Sequence, residues 1–237
     1  MPELGDEALL NLFGAIVAGD DRVVAGRLDE KPELATCVLG AGATRQEARA
    51  YFLHAIRHYV YAGDSALHVA AAAYRRGLAE LLVDNGAPVR ARNRRGAEPL
   101  HYAADGRPGA SDWAPMAQRD VITYLIAAGA DPDSIDKSGV APLHRAVRTR
   151  SADAVAALVG GGADPRLGNK SGSTPLHLAV QNTGKSNSGS PRAKDEQRRI
   201  ISFLLDHGAS PSDVDVKGKT VLASATSEWI RELLAGG

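Results

Sequence analysis

Histidine is the residue type in this chain with the most obvious capacity for metal binding or acid–base chemistry. His54 and His58 lie four residues apart, and Glu47 lies seven residues before His54. On a helix these side chains share one face, and two imidazoles at that spacing can bind zinc. The zinc-protease motif requires Glu directly after its first His, where this chain has Ala55. We expect no metal, and an enzyme or metal-binding protein using His54 and His58 stays an alternative.

Other catalytic patterns are absent from the sequence. Cys37 is the only cysteine and stands in no nucleophile motif. The chain carries no phosphate-binding loop, dinucleotide fingerprint, or kinase or hydrolase signature. We therefore expect no catalytic residue, no cofactor and no enzyme activity.

The other notable histidines belong to a phrase that the chain repeats. His68, His101, His144 and His177 stand in "GDSALHVAA", "GAEPLHYAA", "GVAPLHRAV" and "GSTPLHLAV", and "GKTVLASAT" from Gly218 is an eroded fifth copy. A second phrase, such as "AGAD" at Gly129, always precedes the next motif Leu by 14 residues. The basic unit has 33 residues, and extra residues enter only between the Leu and the following Gly. Such a period indicates stacked structural repeats.

The residues of each unit predict two helices and a turn. Thr174 is a suitable N-cap, and Pro175 suits the first helical position. "RRIISFLLDHG" has apolar residues at helical spacing, and Gly208 is suited to end that helix in a left-handed conformation. Because one unit cannot bury its apolar stripe alone, neighbouring units must share a core.

The repeated phrases resemble the ankyrin repeat, whose 33-residue unit carries T-P-L-H-x-A. "TPLHLA" from Thr174 matches in full, and the earlier copies keep Leu-His-x-Ala. The resemblance implies an all-α, ankyrin-type helical solenoid with short β-hairpin-like connectors. It also implies that the four motif histidines are structural and form hydrogen bonds within and between repeats.

This resemblance suggests three segments. Residues 1–62 are expected to form an N-terminal capping repeat with a helical insertion, because Thr44 to Val60 places Phe52, Ile56 and other apolar residues on one helical face. We expect that helix to dock on the first repeat. Residues 63–217 contain four repeats, and residues 218–237 form a C-terminal capping remnant.

Two further insertions are expected within the repeats. The first, near residues 106–115, contains Trp113 and two prolines. The second, near residues 182–195, is rich in Gly and Ser and reads as a loop. Both join the first helix of a repeat to the second, where solenoids often carry binding loops.

The partner-binding residues are predicted from the variable positions. In proteins of this family the connector tips and the exposed side of the first helices line a concave groove. Carried over to this chain, that surface includes Arg94, Arg95, Tyr102, Trp113, Lys137, Arg145, Arg148 and Lys170. We expect Arg145 and Arg148 to face solvent and this basic strip to recognise a protein with an acidic surface.

Composition limits the choice of partners. The chain has 28 basic and 28 acidic residues and no net charge, so nucleic acid is not the expected partner, although polyanion binding by the Arg-rich groove stays an alternative. No apolar run is long enough to cross a membrane, and no signal peptide is visible. We therefore expect a cytoplasmic, non-catalytic protein-interaction module.

Overall fold

The computed structural model describes residues 4–107, 113–181 and 189–236. The described residues up to Ala103, together with Ala117–Asp131, form one compact unit, and the other described residues form a second. Apart from one short hairpin and two isolated bridges, the described regular structure is helical. The predicted all-α fold class is therefore confirmed.

The helices come in consecutive pairs. The first unit contains α1 (Leu4–Ala18), α2 (Asp21–Glu30), α3 (Ala66–Ala72), α4 (Arg76–Asp84), α5 (Pro99–Ala103) and most of α6 (Pro115–Ala127). The second unit contains α7 (Pro142–Arg148), α8 (Ala152–Gly160), α9 (Pro175–Ala179), α10 (Pro191–Asp206), α11 (Val221–Ser224) and α12 (Glu228–Ala235). Short 3-10 turns cover Pro32–Ala35 and Arg49–Tyr51.

Each unit has its own core, built from the leucines of the repeated phrase. Leu67 and Leu100 are fully buried in the first unit, as are Leu143 and Leu176 in the second. Leu222, in the eroded copy, is 46 % exposed, and its neighbour Val221 is buried instead. The last copy has therefore lost the Leu contact while retaining a pair of short helices.

The connector tips are tight turns closed by one side chain. Asp136 Oδ1 accepts hydrogen bonds from the N–H groups of Ser138, at 2.8 Å, and Val140, at 3.1 Å. The backbone N–H of Asp136 donates to the Val140 carbonyl, which makes the turn hairpin-like. Asn93, Asn169 and Asp215 make the same pair of side-chain contacts in the other connectors. The side chain of an Asn or Asp at this position thus stabilises the turn by accepting two backbone hydrogen bonds.

Glycine is required where one connector packs on the next. Gly172 has a φ of +69°, and a Cβ on it would lie 2.7 Å from the backbone nitrogen of Val216. Gly208, predicted to end the second helix of its repeat, has a φ of +93° and follows α10. A side chain at Gly172 would clash with the next connector, and at both positions the left-handed backbone conformation is strained for any residue with a Cβ.

The predicted helix between Thr44 and Val60 is wrong. This segment contains the 3-10 turn Arg49–Tyr51 and an antiparallel hairpin of β1 (Phe52–Leu53) and β2 (His58–Tyr59). Phe52 pairs with Tyr59, and their ring centroids are 4.6 Å apart. Aromatic and β-branched residues favour such pairing, and a short apolar run does not distinguish helix from strand by its period.

The last part of the Gly/Ser-rich insertion is a helix. Residues 182–188 lie outside the described residues, so the structure does not test the loop prediction there. From Pro191 onward the insertion is helical, because α10 begins at that residue. Ser190 caps it by accepting a hydrogen bond from the Ala193 N–H, so a Ser-Pro start converts the end of the insertion into helix.

Candidate partner-binding surface

The motif histidines connect consecutive repeats. In each of three cases Nδ1 accepts the backbone N–H of the residue three positions earlier: Ser65 to His68, Ala141 to His144 and Thr174 to His177, at 3.1–3.2 Å. The Nε2 atoms lie 3.1–3.2 Å from the carbonyl oxygens of Ala97, Ser173 and Lys219 in the next repeat. Nδ1 of His101 likewise accepts the Glu98 N–H, at 3.1 Å.

These contacts fix the tautomer and explain why the histidines are unsuited to catalysis. Because Nδ1 accepts a hydrogen bond, the proton lies on Nε2, which then donates to the carbonyl. Burial lowers the pKa of His68 and of His144 below the ordinary value of histidine, so the neutral form is favoured. All four motif histidines are buried, and the contacts support a structural role.

Tyr102, predicted to line the binding groove, is buried and 2 % exposed. Its hydroxyl donates to Asp64 Oδ2 at 2.8 Å and accepts from Asn93 Nδ2 at 2.9 Å. Asn93 Nδ2 also donates to Asp64 Oδ1 at 2.8 Å. The prediction for Tyr102 is therefore wrong, because its ring fills the core and its hydroxyl completes a buried polar network.

Arg145, predicted to face solvent, is also buried, with 9 % of its surface exposed. Nη1 lies 2.9 Å from Asp105 Oδ2, and Nη2 lies 2.9 Å from Asp136 Oδ2. Burial alone would lower the pKa of Arg145, but the two carboxylates outweigh it and raise the pKa. Arg145 therefore joins a turn to its helix and is not exposed for a partner.

Trp113 is another predicted binding residue that the structure buries. It is 9 % exposed, and the guanidinium carbon of Arg192, on α10, lies 5.4 Å from its ring centroid. Most of the indole surface is therefore covered, which removes Trp113 as an exposed aromatic anchor.

Three predicted residues of the second unit are exposed. The Arg148 side chain is 63 % exposed, and Nη2 lies 4.0 Å from Asp105 Oδ1. Lys137 and Lys170 are exposed at adjacent connector tips, and Lys170 Nζ donates to the Lys137 carbonyl. These positions agree with the predicted exposure of the connector tips in this unit.

Arg94 and Arg95 belong to a basic site of the first unit. They line a cavity of about 280 Å³ with Arg45, Thr44, Ala43, Ala48, Tyr59 and Tyr61, and we call this site the arginine cleft. Arg94 Nη2 donates to the Ala43 carbonyl, and Arg95 Nη1 donates to the Tyr61 hydroxyl at 2.9 Å. Both guanidinium groups lie over the Tyr61 ring, with their carbons 5.5 and 4.8 Å from its centroid.

The other two arginines of "RARNRR", Arg90 and Arg92, form ion pairs. Arg92 Nε lies 2.9 Å from Glu98 Oε1, and Glu98 is almost fully buried. Arg90 Nη2 lies 3.0 Å from Asp131 Oδ2. Two of the four arginines are thus paired with carboxylates, whereas Arg94 and Arg95 form no ion pair with any residue that the structure describes.

Only Arg94 and Arg95, two of the eight lining residues of the arginine cleft, were predicted from the sequence. Arg45 and Tyr59 come from the segment Thr44 to Val60, which the sequence predicted as a helix, and Tyr61 directly follows it. The N–H of Ala43 donates to the Val60 carbonyl at 2.8 Å, and this bond holds the two ends of the insertion together. No spacing rule relates Arg45 to Arg94, so the pattern gave no signal for their contact with one cavity.

His54 and His58 do not share a helical face. His58 is paired with Leu53 in the hairpin, and His54 lies in the exposed turn. The His54 ring is 4.9 Å from Phe52, whereas the His58 ring is 4.4 Å from Tyr102. Within the described ranges, no three His, Cys, Asp or Glu side chains group as a metal site. The metal-binding alternative required His54 and His58 to share one helical face, whereas in the structure they lie in a hairpin and its turn.

Comparison with known proteins identifies the repeats. A family model for ankyrin repeats in three copies matches residues 113–188, and a model for the single ankyrin repeat matches residues 62–94 and 171–219. No curated protein matches the chain. Among the described residues, no helix has the length and apolar character needed to cross a membrane. Ankyrin repeats generally bind other proteins, and proteins built from them are typically non-enzymatic. The two models together match more than half of the sequence, and the chain belongs to the ankyrin repeat family.

Proposed function

We propose that this chain is a non-catalytic, cytoplasmic interaction module that binds an acidic segment of a partner protein in the arginine cleft. The observation that carries this proposal is the composition of the cleft wall. Arg45, Arg94 and Arg95 line one cavity, and among the described residues that line it there is no carboxylate. In a chain with no net charge, such a local excess of positive charge favours an anionic partner.

The size of the arginine cleft favours a protein segment over a folded surface. About 280 Å³ lies at the lower end of the volumes of small-ligand pockets, so the cavity accommodates one or a few side chains. Arginine and tyrosine are enriched at the centres of protein interfaces, and here Arg95 is already oriented by Tyr61. Orientation before binding reduces the conformational entropy that the partner contact must overcome.

The exposed basic residues of the second unit belong to the same proposal in a secondary role. Lys137, Arg148 and Lys170 would raise the rate of encounter with an acidic partner. Tyr102, Trp113 and Arg145 have no part in it, because they are buried.

Selection from a random-peptide display library tests the proposal and does not require the partner to be identified. Peptides selected on the wild-type protein should be enriched in Asp and Glu. They should lose binding to the variant R94E/R95E and keep it on the charge-matched variant R22E/R119E, which changes exposed arginines on α2 and α6. Enrichment of peptides without acidic residues, or equal binding to both variants, would reject the arginine cleft as the recognition site.

A further inference from the structure

We propose that the arginine cleft takes a phosphorylated residue of the partner segment, an inference that rests on the proposed function. The first argument is the number of charges. Three guanidinium groups and no carboxylate are among the described residues that line the cavity, and Glu47, the acidic residue closest in sequence to Arg45, is not one of them. One Asp or Glu side chain neutralises a single positive charge. A phosphomonoester carries about −1.5 to −2 at neutral pH and matches the cleft better.

The second argument is the number and arrangement of donors. Arg94 donates one N–H to the Ala43 carbonyl, and Arg95 donates one to the Tyr61 hydroxyl. A guanidinium has further N–H groups in a planar fork, so both arginines keep donors for a ligand. The Tyr61 ring lies next to both guanidinium groups and helps to hold them at the cavity. A tetrahedral phosphate presents three terminal oxygens and can accept from several forks at once, which a single carboxylate cannot do equally well.

The third argument comes from the lining residues that the insertion supplies. Arg45 is exposed and makes no hydrogen bond or ion pair with any described residue, so its guanidinium is fully available. Next to it, Thr44 Oγ1 accepts the Glu47 N–H at 3.0 Å, and its own hydroxyl hydrogen can still donate. The insertion thus supplies a cation and a hydroxyl facing the same cavity as the connector arginines.

The size and isolation of the cleft favour a phosphorylated protein segment over nucleic acid. A nucleic-acid backbone requires a track of cations along several phosphates. Here Arg90 and Arg92, the next arginines along the connector, are already paired with Asp131 and Glu98. The arginine cleft is therefore a single-group site, which is typical of recognition of a phosphorylated side chain by clustered arginines.

Fluorescence anisotropy with defined peptides tests this inference. The probes are short labelled Gly/Ala peptides that carry one phosphoserine or one phosphotyrosine, and matched peptides with Ser, Tyr or Glu at that position. At least one phosphopeptide should bind roughly tenfold more tightly than the Glu peptide, the difference expected for one additional charge-assisted hydrogen bond. The comparison between phosphoserine and phosphotyrosine then shows which side chain carries the phosphate.

Two variants and one competitor test whether the phosphopeptide binds in the arginine cleft. R45A should weaken phosphopeptide binding strongly without loss of fold, because Arg45 has no hydrogen bond or ion pair to lose within the described residues. R49A is the matched control, since Arg49 is exposed in the same insertion but does not line the cleft. Unchanged binding by R45A would overturn the inference, and so would inorganic phosphate that binds as tightly as the phosphopeptide.

The remaining outcomes separate this inference from the proposed function. Equal affinities for the phosphopeptides and the Glu peptide would overturn the phosphate preference and leave an acidic-segment site in place. Absence of binding by every anionic peptide would reject both.

Discussion

The side-chain amide of Gln118 donates to the Ala103 carbonyl at 2.8 Å, in place of a backbone bond that uninterrupted repeats make. In the first and third repeats the backbone N–H groups of Arg75 and Ser151 donate to the equivalent carbonyls, those of Ala70 and Ala146. In the second and fourth repeats an insertion separates the two helices. There a glutamine stands at the position that Arg75 and Ser151 occupy in the other repeats, eleven residues before the glycine that follows the second helix. Gln197 makes the same contact in its repeat: its Nε2 donates to the Ala179 carbonyl at 2.6 Å.

Replacement of Gln118 should therefore destabilise the folded protein. Gln118→Ala is expected to lower the free energy of unfolding by about 1–3 kcal/mol, because it leaves a buried carbonyl without a donor. Gln46→Ala, at an exposed position, is the control and should have little effect. Urea denaturation monitored by circular dichroism measures both. Equal midpoints for the two variants would show that the backbone relaxes to satisfy the Ala103 carbonyl.

Arg145 should be needed for stability, whereas Arg148 should not. Arg145→Glu would place a third carboxylate beside Asp105 and Asp136 in a mostly buried site, and we expect a loss of about 3–5 kcal/mol. Arg148→Glu changes a side chain that is 63 % exposed and should cost less than about 1 kcal/mol. Thermal melts of the two single variants test this difference. An unchanged melting temperature for Arg145→Glu would mean that the ion pairs contribute nothing.

Stability should fall as the pH is lowered from 7.5 to 5.5. The pKa values of His68 and His144 are lowered in the folded protein, so the unfolded chain takes up protons first. Their contribution is complete above the unfolded value of about 6.5 and is lost as the pH falls towards the folded values. The pKa values of Asp136 and Asp215 are also lowered, but their contribution is lost only in a more acidic range.

Urea midpoints measured across this pH range test the histidine prediction. His144→Asn should be less stable than the wild type at pH 7.5 and should show a weaker dependence on pH. A wild-type midpoint that stays constant between pH 7.5 and 5.5 would contradict the assignment of neutral, hydrogen-bonded imidazoles.

A capping hydroxyl at position 141 should stabilise α7. Ala141 is the N-cap residue and has no side-chain acceptor, whereas Thr174 Oγ1 accepts the His177 N–H at the equivalent position of the next repeat, at 3.4 Å. Ala141→Thr is therefore expected to raise the free energy of unfolding by about 0.5–1 kcal/mol. The reverse change, Thr174→Ala, is the matched comparison and should lower it by a similar amount. Destabilisation by Ala141→Thr would indicate that the buried site cannot accommodate the larger side chain.

The sequence by itself determined the repeats and their register. Three features carried this prediction: the constant spacing from Gly to Leu, the helix start at Thr174-Pro175, and Gly208. They depend on local backbone preferences and on the period of apolar residues, both of which can be recognised from the sequence. The family resemblance added the structural role of the motif histidines, and the contacts of His68, His144 and His177 support it. These features could be predicted because each depends on a few residues within one unit.

Only the tertiary structure decided which variable side chains are available to a partner. Tyr102 and Arg145 occupy the position after the motif His, and the sequence marks both as surface residues. Each is buried because a turn residue folds back onto it: Asn93 donates to Tyr102, and Asp136 accepts from Arg145. The insertion likewise became a hairpin through the pairing of Phe52 with Tyr59. These contacts join residues that are 7 or 9 positions apart across a turn, and no helical or strand period specifies such pairings.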